Sequence, residues 1–437
     1  LRRGSPAKDD GIVNRALSLA ALAALAVLSI SCGSKPKPGP APAASGSAVA
    51  VSTATATTAA EPAEPDGDAA KGQELVKKFE CNRCHEGTGQ PAPTLDKACF
   101  TCHLKIISGE FKSPKAAAER WHERVLDLKD APSLTASQKR FKRSWVVNFL
   151  MNPYDLRPRL GPTMPRLALT REEARDIAAF LTSPDDPAAK PDFTAANAAH
   201  GRKLMEDNGC PSCHVFTGVP PLEGATPYKM EEKALATAMQ LAPDLRNARR
   251  RIRPEALVAW VSNPKAVKAD TQMPEFQLKP EDARDIAAYI LETPLTDAPP
   301  VPAKPRLPVL ERKVTYDEVS TKVFRRTCWH CHGEPDYAAG DGGPGNTGGF
   351  GFKPRGISFV DYGSVAAGRV DDKGERHSLF EKTADGTPRI LVALLNRGKE
   401  EAGKPDPEIR GMPLGYPSLS PEDLQLVETW VSQGRPR

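Results

Sequence analysis

The chain has 437 residues, a net charge of +5 and only 6% aromatic side chains. That length exceeds one ordinary domain and suggests about three. So mild a charge, with no basic stripe interleaved with aromatics, excludes a nucleic-acid binder. Forty-three prolines beside so few aromatics point to small cores joined by extended connectors.

In chain order the first element is a leader. Arg2, Arg3, Lys8 and Arg15 precede an apolar run from Ala16 to Ile30, which has the length of a secretory signal and is short for a membrane span. The run ends in LSISCGS, where Ser31 and Cys32 resemble the cleavage and lipidation site of a bacterial lipoprotein. Ser29 stands where that motif prefers Leu, and a plain secretory signal is the alternative. Residues 1–31 are read as a signal peptide and Cys32 as the lipidated residue. The chain is then expected to be exported, as a periplasmic protein or an outer-membrane lipoprotein facing the periplasm. Residues 32–68, rich in Pro, Ala, Ser and Thr and low in bulky apolar residues, cannot bury enough surface to offset ordering entropy and read as a disordered tether.

Two proline-spaced connectors, at 183–193 and 293–308, cut the remainder into three segments: 69–184, 193–292 and 309–437. The first two repeat one another. KGQELVKKFECNRCH aligns with HGRKLMEDNGCPSCH, each with a glycine nine residues before the first cysteine. APSL then matches APDL, MNP matches SNP, and TMPRLALTREEARDIAAFL matches QMPEFQLKPEDARDIAAYI. Such self-similarity means one architectural unit used twice.

Each segment is predicted to open with a helix before its cysteines and to close with another. Thr170 and Glu173 form a capping box before Ala174, Ile177, Ala178 and Leu181 at helical spacing. Pro280 suits a first helical turn before Ala283, Ile286, Ala287 and Ile290. In the third segment Ser420 caps, Leu424, Val427 and Val431 line one face, and Gly434 can stop the helix. The fold class is therefore all-α, in three small units.

Eight of the nine cysteines form four pairs: Cys81/Cys84, Cys99/Cys102, Cys210/Cys213 and Cys328/Cys331. Each pair is followed at once by a histidine: His85, His103, His214 and His332. Cysteines three apart lie on one side of a helical turn, where both sulfurs reach one haem edge and the next histidine turns toward the iron. A thioredoxin-like pair calls for a βαβ pattern that is absent, and disulfides between residues three apart stabilise little. Zinc is the rival for residues 81–103, where two pairs lie close together, but the other two pairs have no partner nearby. A Met-Pro dipeptide follows the cysteines once per segment, at Met164, Met273 and Met412. A thioether opposite a histidine raises the potential of a haem and fills its last coordination site.

An N-terminal helix, CxxCH, a mid-unit proline turn, Met-Pro and a C-terminal helix resemble the class I cytochrome c fold, here in tandem as in bacterial multihaem c-type cytochromes. The resemblance covers most of 69–292 and, more loosely, 309–437. It implies His85 or His103, His214 and His332 as proximal ligands, with Met164, Met273 and Met412 opposite. In the third segment the glycine-rich stretch AGDGGPGNTGGFG departs from the family. Its Gly340, Gly342 and Gly345 match a dinucleotide pattern without the flanking strand and helix, and read as a surface loop. His330 cannot easily ligate the iron of its own motif, and His377 reads as solvated.

Four motifs face only three Met-Pro pairs. Similarity upstream pairs Cys81 with Cys210, whereas spacing to the methionine favours Cys99, so the partner of Met164 stays open; His122 is the candidate sixth ligand for the remaining iron. The expected function is a tetrahaem electron carrier with four covalently attached haem c groups, redox proteins as partners and a possible lipid anchor in the membrane. The alternative is a haem enzyme, a peroxidase or an oxidoreductase of a small inorganic substrate, with one open haem in the first segment.

Overall fold

Several helices begin at a capping side chain that the sequence supplies. The computed structural model describes residues 64–125, 131–161, 163–185, 193–223, 225–299, 301–333 and 348–437. The leader, Cys32, residues 33–63 of the tether and Gly340, Gly342 and Gly345 lie outside them; residues 64–68, expected to be disordered, are held instead, Glu64 by Arg175 and Asp66 by Arg143. In the first segment α1 (Ala69–Lys78) starts at Asp68, whose carboxylate accepts from the amides of Ala70 and Lys71. Helices α2 (Cys99–Ser108) and α3 (Lys115–Val125) follow the insertion, then α4 (Arg143–Met151) and α5 (Arg171–Leu181). The capping box at Thr170 and Glu173 forms as predicted, with both reciprocal bonds present.

The terminal helices α1 and α5 cross closely. A Cβ on Gly72 would run into the backbone carbonyl of Asp176, so the crossing requires glycine there. Buried Asp176 accepts from the amide of Asp68 at 2.7 Å and locks the start of α1 to α5. The second segment repeats this arrangement with α6 (Ala198–Asp207), α7 (Glu232–Leu241), α8 (Pro254–Ser262) and α9 (Pro280–Glu292). Gly201 meets the carbonyl of Asp285 where α6 crosses α9, and Asp285 accepts from the amide of Asn197 at 2.7 Å. The predicted stripes of α5 and α9 are buried throughout.

In the third segment α10 begins at Tyr316–Val319, widens into π-helical turns over Ser320–Cys328 and ends as α-helix at Trp329–His332. A two-stranded antiparallel hairpin, β1 (Arg369–Val370) with β2 (Arg376–His377), is a small departure from the all-helical expectation. Helices α11 (Arg389–Glu401) and α12 (Pro421–Ser432) complete it. Ser420 caps α12 as predicted, and Gly434 follows its end at φ +79°. The buried face of α12 is Leu426, Val427 and Trp430 rather than Leu424, Val427 and Val431, because Trp430 sits among Tyr316, Phe324, Tyr362 and Phe380. So wide a ring captures the centre of the core and turns the smaller residues to its margin.

Three hydrophobic cores result, one in each segment, within one compact unit from Glu61 to Arg437. The first two segments meet at a reciprocal contact. Phe141 bridges Ile252, the amide of Lys142 donates to Arg251 O at 2.9 Å, and the amide of Arg253 donates to Arg140 O at 3.0 Å. Counting back from MNP and SNP makes 140–142 and 251–253 the same positions of the repeat, so this is a self-complementary pairing of the two copies. The third segment also touches the first: Arg166 pairs with Glu400 at 3.0 Å, and the amide of Phe350 donates to Glu80 at 2.9 Å. The described end of the glycine-rich stretch thus packs on the first segment. Among the described residues no helix is long and apolar enough to cross a membrane.

Candidate haem sites

The site of the second segment is built from a 3-10 turn at Cys210–Ser212, entered through left-handed Gly209. The amide of His214 donates back to Cys210 O at 3.0 Å, which winds both cysteines and the histidine into one tight turn. His214 Nδ1 donates to the carbonyl of Pro243 at 2.9 Å. With Nδ1 carrying the proton, a neutral imidazole presents the lone pair of Nε2 for ligation. Burial holds the His214 pKa below its ordinary value, which favours that neutral form. Burial also pushes the Cys210 thiol up to about 11, away from thiolate chemistry. Met273 lies beside Trp260, whose indole N–H donates to its sulfur at 2.9 Å.

The first segment reproduces this site around CNRCH. A 3-10 turn at Cys81–Arg83 follows Glu80 at φ 52°, and the amide of His85 donates to Cys81 O at 2.9 Å. His85 Nδ1 donates to Pro132 O at 2.8 Å. Pro132 and Pro243 are the prolines of APSL and APDL, so the same position of the repeat orients both imidazoles. Cys81 and Met164 pack against the same core. By geometry, then, CNRCH and not CFTCH is the counterpart of CPSCH.

CFTCH forms the first turn and a half of α2, with Cys99 beside Cys84. The Cys99 sulfur and burial together hold the Cys84 thiol well above its usual value. Burial, then Cys99, raises Cys102 to about 11. A structural zinc site needs four Cys or His ligands gathered around one point. Among the described residues the sole three-ligand cluster of His, Cys, Asp and Glu is Asp371, Glu375 and His377, so these sulfurs do not converge as a zinc site requires. His103 is 5% exposed, and its Nδ1 has no hydrogen-bond partner among the described residues. Burial, then the neighbouring His330, pushes its pKa down to about 3.

His122, the sixth ligand anticipated from sequence, stands exposed on α3. Its neighbour Trp121 packs edge-on to Phe111, which turns the histidine outward. The ring that approaches His103 is instead His330 of the third segment, with centroids 5.9 Å apart.

In the third segment Cys328, Cys331 and His332 share a cavity of about 370 Å³ with Met412. Its remaining walls are largely apolar, but Arg355, Arg369, Arg389 and Arg410 also line it. The buried Nε atoms of Arg369 and Arg410 lack a hydrogen-bond partner among the described residues. An apolar chamber with cysteines and histidine on its lining and unspent cationic donors suits a flat apolar group that carries carboxylates, as haem does.

Residues 198–294 match the family model for cytochrome c. That match identifies a cytochrome c domain within the second segment, which supports covalently bound haem c and haem-based electron transfer there in general terms. No curated protein and no solved structure matches the chain. Within the domain, the Pro243-oriented imidazole, the tight turn of cysteines and Met273 fit that group.

Sequence reasoning noted both prolines without giving them this role, although their recurrence in the two copies was the available signal. The half-buried cavity arginines of the third segment carried no pattern that could be read in advance.

Proposed function

We propose that the chain is a tetrahaem c-type cytochrome that relays electrons at the cell envelope, built from cytochrome c-like domains at 69–184, 193–292 and 309–437. The observation that carries this reading is the repetition of one ligand-orienting hydrogen bond. His85 to Pro132 in the first segment copies His214 to Pro243 in the matched domain. Cys81 and Cys84 would then hold one haem, with His85 and Met164 as the residues that bind its iron. Cys210 and Cys213 act with His214 and Met273, and Cys328 and Cys331 with His332 and Met412. Cys99 and Cys102 would hold the fourth, with His103 binding its iron.

Bound haem supplies one-electron exchange at iron. The chain supplies the rest: it fixes the imidazoles of His85 and His214 through a backbone carbonyl and excludes water with the three cores. Three filled thioether positions suit electron transfer rather than ligand chemistry. Export by the leader, a lipid on Cys32, a location in the periplasm or on the outer membrane facing it, and redox proteins as partners complete the proposal.

The test is a pyridine haemochrome count on the purified full-length chain, with mass spectrometry of its cysteine peptides. Four haems per chain are expected, one on each CxxCH. An unmodified Cys99–Cys102 peptide, or bound zinc, overturns the tetrahaem reading.

A further inference from the structure

The fourth motif has no methionine, and the structure brings a histidine from elsewhere in the chain to its imidazole. His103 of α2 faces His330 of α10 across 5.9 Å between ring centroids, with the ring planes inclined at 52°. The two residues are more than two hundred positions apart in sequence, so packing alone unites them. α3 packs against the π-helical stretch Ser320–Cys328 and carries α2 to that position.

His330 is one of the two variable residues of CWHCH. Residues 329–332 are α-helical. At about 100° per residue, Cys328, Cys331 and His332 share one face while His330 points to roughly the opposite one. The helix that commits three side chains to its own haem therefore presents the fourth outward. Trp329 holds this register, since its indole N–H donates to Phe359 O at 2.5 Å in the buried core.

Two imidazoles on opposite sides of one metal, each with a metal–nitrogen bond of about 2 Å, have ring centres roughly 6 Å apart. The observed separation matches that span. We infer that His330 is the sixth ligand of the haem held by Cys99 and Cys102, giving a His103/His330 pair across the boundary between the first and third segments. This inference rests on the tetrahaem reading. It places two haems in covalent sequence: the residue beside Cys331 and His332 on one iron ligates the next. The haem of the third segment is then wired to the first through a single turn of helix.

The experiment uses the full-length holoprotein and the variants His330→Ala, His330→Met and His122→Ala, followed by electron paramagnetic resonance and spectropotentiometry. His330→Ala is expected to lose one bis-imidazole low-spin signal of the oxidised protein and gain one high-spin signal, with added imidazole restoring the first. His330→Met is expected to raise one of the four potentials and leave three in place. His122→Ala is expected to match the parent. Four haems with unchanged His330→Ala spectra, or loss of the bis-imidazole signal in His122→Ala, overturns this inference alone. An unmodified Cys99–Cys102 pair overturns it together with the tetrahaem reading.

Discussion

At the scale of single residues, the backbone rather than another side chain holds the imidazoles of His85 and His214. A proline carbonyl has no competing N–H of its own residue and no rotamer to lose, so it holds the Nδ1 proton of His85 and of His214 at fixed cost. Met273, the thioether of the proposed ligand set, takes its hydrogen bond from a side chain instead, the Trp260 indole. Replacing Met273 by His exchanges a thioether for an imidazole, and the potential of one haem is expected to fall by roughly a tenth of a volt or more. Spectropotentiometry of the holoprotein reads this directly; a superimposable titration would remove Met273 from the ligand set. A second residue-scale expectation concerns acid. Arg312 first, then Lys322, holds Glu318 down to about 2 from an ordinary 4.5. A carboxylate lowered on folding stabilises above its unfolded pKa and loses that contribution as pH falls toward the folded one. Glu318→Gln should therefore leave stability at pH 7 lower and narrow its gap to the parent between about pH 4.5 and 2, as read from thermal midpoints across that window. The pair is solvent-facing, so the effect is small.

At the scale of elements, the glycine crossing decides how near the terminal helices come. Gly201 abuts the Asp285 carbonyl, and no side chain end is there to swing aside. Gly201→Ala must push α6 off α9 and is expected to cost about 1–3 kcal/mol, as overpacking does. Chemical denaturation reads it, and an unchanged midpoint would mean the crossing is looser than the contact implies. This part of the fold was legible. Gly72 and Gly201 fall nine residues before a cysteine in both copies, and the stripes of α5 and α9 have a helical period that survives folding because each faces a single partner helix. The face of α12 was less legible: Trp430 outweighs its smaller neighbours, and no periodicity gives weight to ring size. The approach of His330 to His103 was not legible as a contact, since it depends on how two segments dock. The motif itself held a clue in hindsight, an imidazole at a position its own iron cannot use.

At the scale of the whole molecule, sequence suggests separate domains on extended connectors, whereas the described residues tie the segments to one another. Arg253 shows how. Its side chain donates to Phe141 O at 3.1 Å, Ser183 O at 2.6 Å and Pro184 O at 3.1 Å, and it pairs with Asp185 at 3.4 Å. It thereby closes the start of the first connector onto the second segment. Asp185 also accepts from the amides of Arg143 and Ser144, so the connector caps α4 from the other side. Beneath these bonds, Arg140 and Arg251 lie over the Phe141 ring at 4.4 and 5.0 Å, and each reaches a tryptophan of the opposite copy. The first two segments are thus coupled through reciprocal contacts and should unfold together. Arg253→Ala removes three charged hydrogen bonds and an ion pair from the seam but none from either core. It is expected to weaken the coupling by about 2–3 kcal/mol, given that hydrogen bonds to charged groups are individually worth 1.5–3 and act non-additively here. In calorimetry of the holoprotein the expected result is a broadened or split transition where the parent shows one for this pair. A transition merely shifted, with its width intact, would mean the pairing holds without Arg253, through the Phe141–Ile252 bridge and the arginine stacking alone.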